Sequence, residues 1–490
     1  MSQSQTSSAS ATPYPATGCG AVIPSEEVDR SCRYPILFLA LSSTGWLLLA
    51  TVLNFLATLK FHKPDILADM GWLTYGRVHP AGMNCLIYGF AIQAGLAVVL
   101  WVFADLGKTK LAYAPLTVVG WLLWNVGITL GVAGILYGDS TGYEWLEMPR
   151  YGVAFALVGY IQIALSALAT FHLRRVRTLS ISHWFMVTAL FWFPWIYTTA
   201  AYLLLIGAPV RGVLQYNVDS WYFNNLTNIV LGFIGLGTAF YFVPTISKRP
   251  LNNFYTGIFI FVALIAFGTW SRIPAGTPLP AWFSAYGALG ALTTIAPALA
   301  VLYVVFSTRC RCSELSVEHR YIQRFVVFGS LAYAASTLIS AVNSTFWFSE
   351  VTHFTWFVPA NNLLFIYGFA VMSIFCGLYY VLPRVLGGNF PSTKLIVIHF
   401  FLAAAGIFFY AVPLLVGGIT QGHGLNNASV PFITVMTQTL MPLRASTLGD
   451  MLMAAGHLAF ALNLFGLVFE TMSHTATTTV EELTRVEVAS

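Results

Sequence analysis

Apolar residues in this chain fall into about twelve long runs, separated by short stretches rich in polar, glycine and proline residues. A bilayer core needs about 20 apolar residues per helical span, and lipid tolerates no unpaired backbone polar group, so such runs read as membrane helices. The runs predict spans at about 34–59, 80–104, 112–137, 151–171, 184–207, 223–246, 254–271, 281–307, 325–346, 355–382, 395–417 and 447–470. The expected fold is an all-α, polytopic membrane bundle of about twelve transmembrane helices. Residues 1–32, rich in Ser, Thr, Ala and Pro, read as a disordered tail, 33–472 as one membrane domain and 473–490 as a second tail.

Composition narrows the function. With 57% hydrophobic and 8% charged residues in 490, the chain fits transport, channel formation, or electron and proton transfer within a membrane. Thirteen Lys and Arg fall in the loops after even-numbered spans and seven in the odd-numbered loops. The positive-inside rule then predicts that both termini are cytoplasmic. The net charge of +5 belongs to these loops and gives no sign of nucleic-acid binding. The six cysteines form no framework. Cys310 and Cys312 have a spacing that could bind a metal but lack nearby partners, and read as free thiols. No Cys-x-x-Cys-His signals covalent heme.

The local wording is more specific. Arg77-Val78-His79-Pro80-Ala81-Gly82-Met83-Asn84 opens the second span. Asp219-Ser220-Trp221-Tyr222-Phe223-Asn224-Asn225 opens the sixth, which ends in Tyr241-Phe242-Val243-Pro244. Thr277-Pro278-Leu279-Pro280-Ala281-Trp282 follows the seventh, and Thr352-His353-Phe354-Thr355-Trp356 opens the tenth, which closes with Tyr379-Tyr380-Val381-Leu382-Pro383-Arg384. In order and spacing these resemble subunit I of the cbb-type (C-family) heme–copper cytochrome c oxidases over roughly residues 35–470.

The resemblance implies six histidine ligands. Two, from the second and tenth spans, bind a low-spin heme. One more from the tenth binds a high-spin heme. One from the sixth and an adjacent pair from the seventh bind copper. With the anchors in register these positions fall on Gly82, Asn224, Arg272, Ile273, Asn361 and Leu363, and the family's cross-linked tyrosine falls on Ala266. The sixth and seventh spans contain no histidine, so no shift of register restores a copper site. Amide, guanidinium and alkyl groups are poor copper ligands. The expectation is a divergent member with no metal ligands at the family positions, no copper and no cofactor of its own. Family resemblance alone would make the protein a cytochrome c oxidase.

Other polar residues leave alternatives. His79 and His353 stand at the outer ends of the second and tenth spans, where they could hold a displaced heme or bind a quinone headgroup. Equally, His79 replaces an arginine of the family motif and His353 is a polar helix-end residue. His457 lies near mid-membrane, where an ionisable group is costly and suggests function. Arg272, Asn224, Asn361 and His457 could line a cavity or proton path, with Asn225 and Asn362 completing an amide network across the emptied pocket. His62, His172, His183, His319, His423 and His474 read as solvated loop histidines. The acidic loop 138–150 could dock a basic electron carrier or simply be solvated.

These features together predict an integral subunit of a respiratory membrane complex in the prokaryotic cytoplasmic membrane. It would act as scaffold for a membrane-anchored c-type cytochrome and conduct protons. The rivals are a redox subunit with one heme or a quinol site near His79 and His353, and an ion or small-solute transporter using the vacated cavity.

Overall fold

The computed structural model describes residues 23–207, 209–251, 253–271, 273, 279–310 and 314–489, with side chains described to residue 473. Among these, eleven helices are long and apolar enough to cross a membrane: α1 (Ser25–Leu59), α2 (Tyr75–Gly107), α3 (Ala114–Tyr137), α4 (Arg150–His172), α5 (Ile181–Ile206), α6 (Val213–Ser247), α8 (Ala281–Thr308), α9 (Val317–Asn343), α10 (Phe357–Leu386), α11 (Thr393–Leu425) and α12 (Phe432–Ser473). The seventh predicted span appears as a shorter apolar helix, α7 (Phe254–Trp270). Polar residues start several helices: Asn253, Ser316 and Ser392 each accept a bond from a backbone N–H one turn on.

Three helices form the centre. All of the most apolar window of α2 is buried, with 94% for α10 and 89% for α6, against 44–56% in the other candidate spans. The outer helices present one apolar face to lipid and one to this core. Trp101, Trp124, Tyr88, Tyr160, Tyr197 and Tyr222 are fully buried there.

Close helix approaches rest on small residues, since lipid tails are as apolar as leucine and give no hydrophobic drive between helices. On α3 and α4 a methyl at Gly127 would sit 2.4 Å from the backbone N of Ala156, and one at Gly159 2.4 Å from that of Trp124.

Several boundaries differ from expectation. Helix α1 starts at Ser25, inside the segment expected to be a disordered tail. Its first turns are held: Val28 and Cys32 are buried, and Trp101 Nε1 donates to Asp29 Oδ1 at 2.7 Å. At the other end, α11 runs to Leu425 and α12 starts at Phe432, so most of the 418–446 stretch expected as loop is helix. The α12 backbone stays helical to Ala489, where a tail was expected. A short helix, Phe346–Thr352, precedes α10. Apolar windows find only the lipid-depth part of a helix, and these extensions are polar or amphipathic.

The α3–α4 contact gives a test. Gly159→Val should lower stability by about 1–3 kcal/mol through overpacking, read as a lower melting temperature in detergent. Gly45→Ala, where nothing lies within 4 Å of the added carbon, should leave it unchanged.

Candidate functional site

Each central helix carries a π-helical segment at mid-length: Cys85–Ile92 in α2, Leu226–Leu231 in α6 and Leu364–Val371 in α10. Each follows closely on a position where the resemblance places a metal ligand: Gly82, Asn224, and Asn361 with Leu363. Such widened turns are rare and frequent at functional sites.

Asn361 and Leu363 leave opposite sides of α10, as the family's His-x-His would. Leu363 lines a cavity of about 30 Å³ with Thr51, Asn54, Tyr367, Asp450 and His457. Gly82 faces the same helix, α1: a methyl there would meet Asn54 Oδ1 at 2.4 Å. Both nitrogens of His457 are engaged, Nδ1 with Thr51 Oγ1 at 2.5 Å and Nε2 with the Tyr367 hydroxyl. This space suits one or two waters and is far below the roughly 300 Å³ of a small ligand pocket. A low-spin heme fits neither the room nor the residues at its two ligand positions.

On the other side of α10, the amide of Asn224 occupies one of the three copper positions. Asn224 Nδ2 donates to the carbonyls of Gly268 (3.0 Å) and Thr269 (2.6 Å), and its Oδ1 accepts from Asn228 Nδ2 (2.8 Å) and Ser271 Oγ (3.3 Å). Asn225 adds a bond to the Thr269 carbonyl at 3.1 Å and accepts from Trp192 Nε1 at 2.9 Å. The last carbonyls of a helix have no partner within it, so these amides cap the end of α7. Asn361 turns to α9 instead, donating to Ser340 Oγ at 2.7 Å and accepting from Ser336 Oγ at 2.9 Å. The amide network is therefore two networks, and Asn224 and Asn361 do not bond one another. Ile273 packs against Gly287 of α8. Arg272 and Cys312 lie outside the described residues, and so does the His474 side chain. Among the described residues no three His, Cys, Asp or Glu come together as a metal site. These donors do not fit copper.

A second cavity, about 160 Å³, opens at the end of the bundle away from the termini. Glu144, Tyr216, Asp219, His353, Asn361 and Asn362 line it. His353 Nε2 pairs with the Tyr216 hydroxyl at 3.0 Å, and burial lowers its affinity for a proton. His79 stacks on Tyr75 with centroids 5.4 Å apart. The two histidines thus have different partners. The acidic loop is only partly solvated: Glu147 turns inward to accept from Asn84 Nδ2 at 2.8 Å. Desolvation raises its carboxyl to about 7 against that bond, with the Glu144 charge adding to the rise. His183, expected in a solvated loop, is buried and bonds Ser180 at the start of α5.

Asn228, Tyr367, His399 and Asp450 were not singled out from sequence. A signal existed for one: Asp450 and His457 are seven residues apart, two turns on one face of an apolar helix.

The arrangement is that of an oxidase-type subunit I bundle, and the comparisons agree. The sequence model for cytochrome c and quinol oxidase polypeptide I matches residues 35–452. The chain belongs to this family. It is 24% identical over 402 residues to the cbb3-type cytochrome c oxidase subunit CcoN1 of Stutzerimonas stutzeri, covering 78% of this chain and 82% of that one. It is 25% identical over 403 residues to cytochrome c oxidase subunit 1 of Rhodobacter capsulatus, covering 78% and 74%. A heme–copper terminal oxidase dimer solved by cryo-EM shares the fold, with a TM-score of 0.74 at 13% identity over 89% of this chain and 83% of that one. The protein is a multi-pass protein of the prokaryotic cytoplasmic membrane.

Glu147 predicts a pH effect. Between its ordinary value of 4.5 and about 7 the folded chain keeps this proton and the unfolded chain loses it. Stability should therefore fall as pH rises through that window and level off above it. Melting curves from pH 4.5 to 8 should show the slope, and Glu147→Gln should flatten it.

Proposed function

We propose that this chain is a subunit I scaffold without an oxygen-reducing heme–copper centre of its own. It would hold a membrane-anchored c-type cytochrome in a respiratory complex and offer a proton path through the inherited bundle. One observation carries the reading: Gly82, Asn224, Ile273, Asn361 and Leu363 stand at the positions where the resemblance places the family's ligands, and both side-chain polar atoms of Asn224 are engaged, Nδ2 with the end of α7 and Oδ1 with Asn228 and Ser271. Both cytoplasmic termini, implied by loop charge, would put the 160 Å³ cavity on the outer side.

That cavity favours a second reading. A His353–Tyr216 pair beside Asp219 at its wall offers donors and acceptors for a quinol headgroup or small solute, making the chain a quinol-oxidising or transport subunit. His79, stacked on Tyr75 elsewhere, would then contribute little.

The purified chain, freed of its partners in detergent, should give no heme bands in a reduced-minus-oxidised spectrum, and iron and copper well below one per chain. Stoichiometric heme or copper would overturn the scaffold reading. Quinol oxidation or solute uptake that His353→Ala abolishes would establish the second reading instead.

A further inference from the structure

Between α1 and α12, beside the position where the resemblance places a low-spin heme, two buried oxygens have no donor from the protein: Asn54 Oδ1 and Asp450 Oδ2. Both residues line the cavity of about 30 Å³, with Thr51, Tyr367 and His457. Amide and carboxylate oxygens accept and do not donate, so this cavity calls for a donor or a cation.

The Asp450 carboxylate also lacks a counter-charge. No Lys or Arg lines the cavity, and among the described ion pairs none includes Asp450. The basic residues at this end of α1 and α12 are engaged elsewhere. Lys60 Nζ donates to the Ile66 carbonyl at 2.6 Å, and Arg444 Nε to that of Phe61 at 2.9 Å. His62 pairs with Thr447 Oγ1 at 3.0 Å. The bonds of His457 are those of a neutral ring. Thr51 Oγ1 gives its proton to the Leu47 carbonyl at 2.8 Å, so it accepts from His457 Nδ1 at 2.5 Å, and His457 Nε2 accepts from the Tyr367 hydroxyl. Thr58 bonds Asp450 but brings no charge. A buried carboxylate with no compensating charge is costly in a membrane bundle.

The oxygens on offer define the class of ion. They carry one negative charge, on Asp450, with neutral partners in Asn54 Oδ1 and the remaining lone pair of Thr51 Oγ1. Transition metals favour imidazole or thiolate, and both nitrogens of His457 are taken. Calcium takes about six to eight oxygens and magnesium keeps several waters, more than a cavity with room for one or two waters can hold. A small monovalent cation matches both the charge and the space, and sodium is the smaller of the common two. Asp450 is only partly buried as a residue, which gives the ion a way in.

We propose that this cavity binds a single sodium ion, held by the Asp450 carboxylate, the Asn54 amide oxygen and the Thr51 hydroxyl, with water completing its shell. The ion ties α1 to α12 and stabilises the folded chain by mass action. Gly82 leaves room for this arrangement, since a methyl there would meet Asn54 Oδ1 at 2.4 Å.

The inference rests on the reading that no heme fills this space, so heme absorbance is recorded on the same samples. The full-length chain, purified in sodium-free detergent solution, is titrated with radioactive sodium in a scintillation proximity assay. Melting curves are taken in sodium chloride and in choline chloride at equal ionic strength. Wild type should bind sodium saturably and stoichiometrically, and should melt higher in sodium than in choline. Asp450→Asn keeps the shape and removes the charge. It should weaken binding about tenfold or more and melt at the same temperature in both salts. Asn54→Leu should do the same, and carries the test if Asp450→Asn does not fold. His319→Ala, outside the cavity, should bind as wild type. Wild type that binds no sodium and melts alike in both salts would overturn the proposal, leaving a proton on Asp450 or a water as the occupant. Folded Asp450→Asn or Asn54→Leu that binds sodium as wild type does would overturn it too. Heme in the samples would sink the scaffold reading separately, whatever the sodium counts.

Discussion

Water is excluded from the middle of this bundle, so polar groups on its three central helices must be paired by neighbouring helices. The rest of the structure follows from how that demand is met. In the family, imidazoles on α2, α6, α7 and α10 would spend their lone pairs on metals. In this chain Asn224 and Asn225 donate amide N–H groups to the carbonyl end of α7, and Asn228 donates to Asn224 Oδ1. These bonds form a hydrogen-bonded seam between α6 and the end of α7. Interhelical bonds in membranes average about 0.6 kcal/mol, so the four amide bonds to the Gly268 and Thr269 carbonyls contribute on the order of 2 kcal/mol, enough to matter to a marginally stable fold.

The two sides of α10 meet the demand differently. Toward α6 and α7 the amides are paired, as Asn224 shows. Toward α1 and α12 the groups are acids, bases and hydroxyls, and Asp450, Asn54 and His399 each keep a buried atom unpaired by protein. A paired amide seam rigidifies. The same helical frame thus carries differently paired polar groups on its two sides, divided by one helix whose Asn361 and Leu363 point in opposite directions.

Close packing sets the shape of the frame. Small residues let α3 and α4 touch backbone to backbone, and aromatic rings fill the space around Trp101 and Trp124. This explains how a chain only 13% identical to a heme–copper terminal oxidase superposes on it so well: the contacts that set helix positions need size and shape rather than particular ligands.

The sequence by itself determined much. Long apolar runs predicted twelve helices, and the motifs on α2, α6 and α10 pointed to the family, in a register that puts other residues at its ligand positions. Those are local properties, readable from hydropathy and spacing. Which helix answers which polar group is not local. That Asn224 caps α7 while Asn361 turns to α9, that Glu147 folds inward to Asn84, and that Asp450 and His457 share a cavity with Thr51 and Asn54 all depend on neighbours far apart in the chain. Helical periodicity tells the face a side chain occupies but not the partner opposite it. Only the tertiary structure decided those pairings, because burial without water makes each polar side chain depend on a helix it meets only after folding.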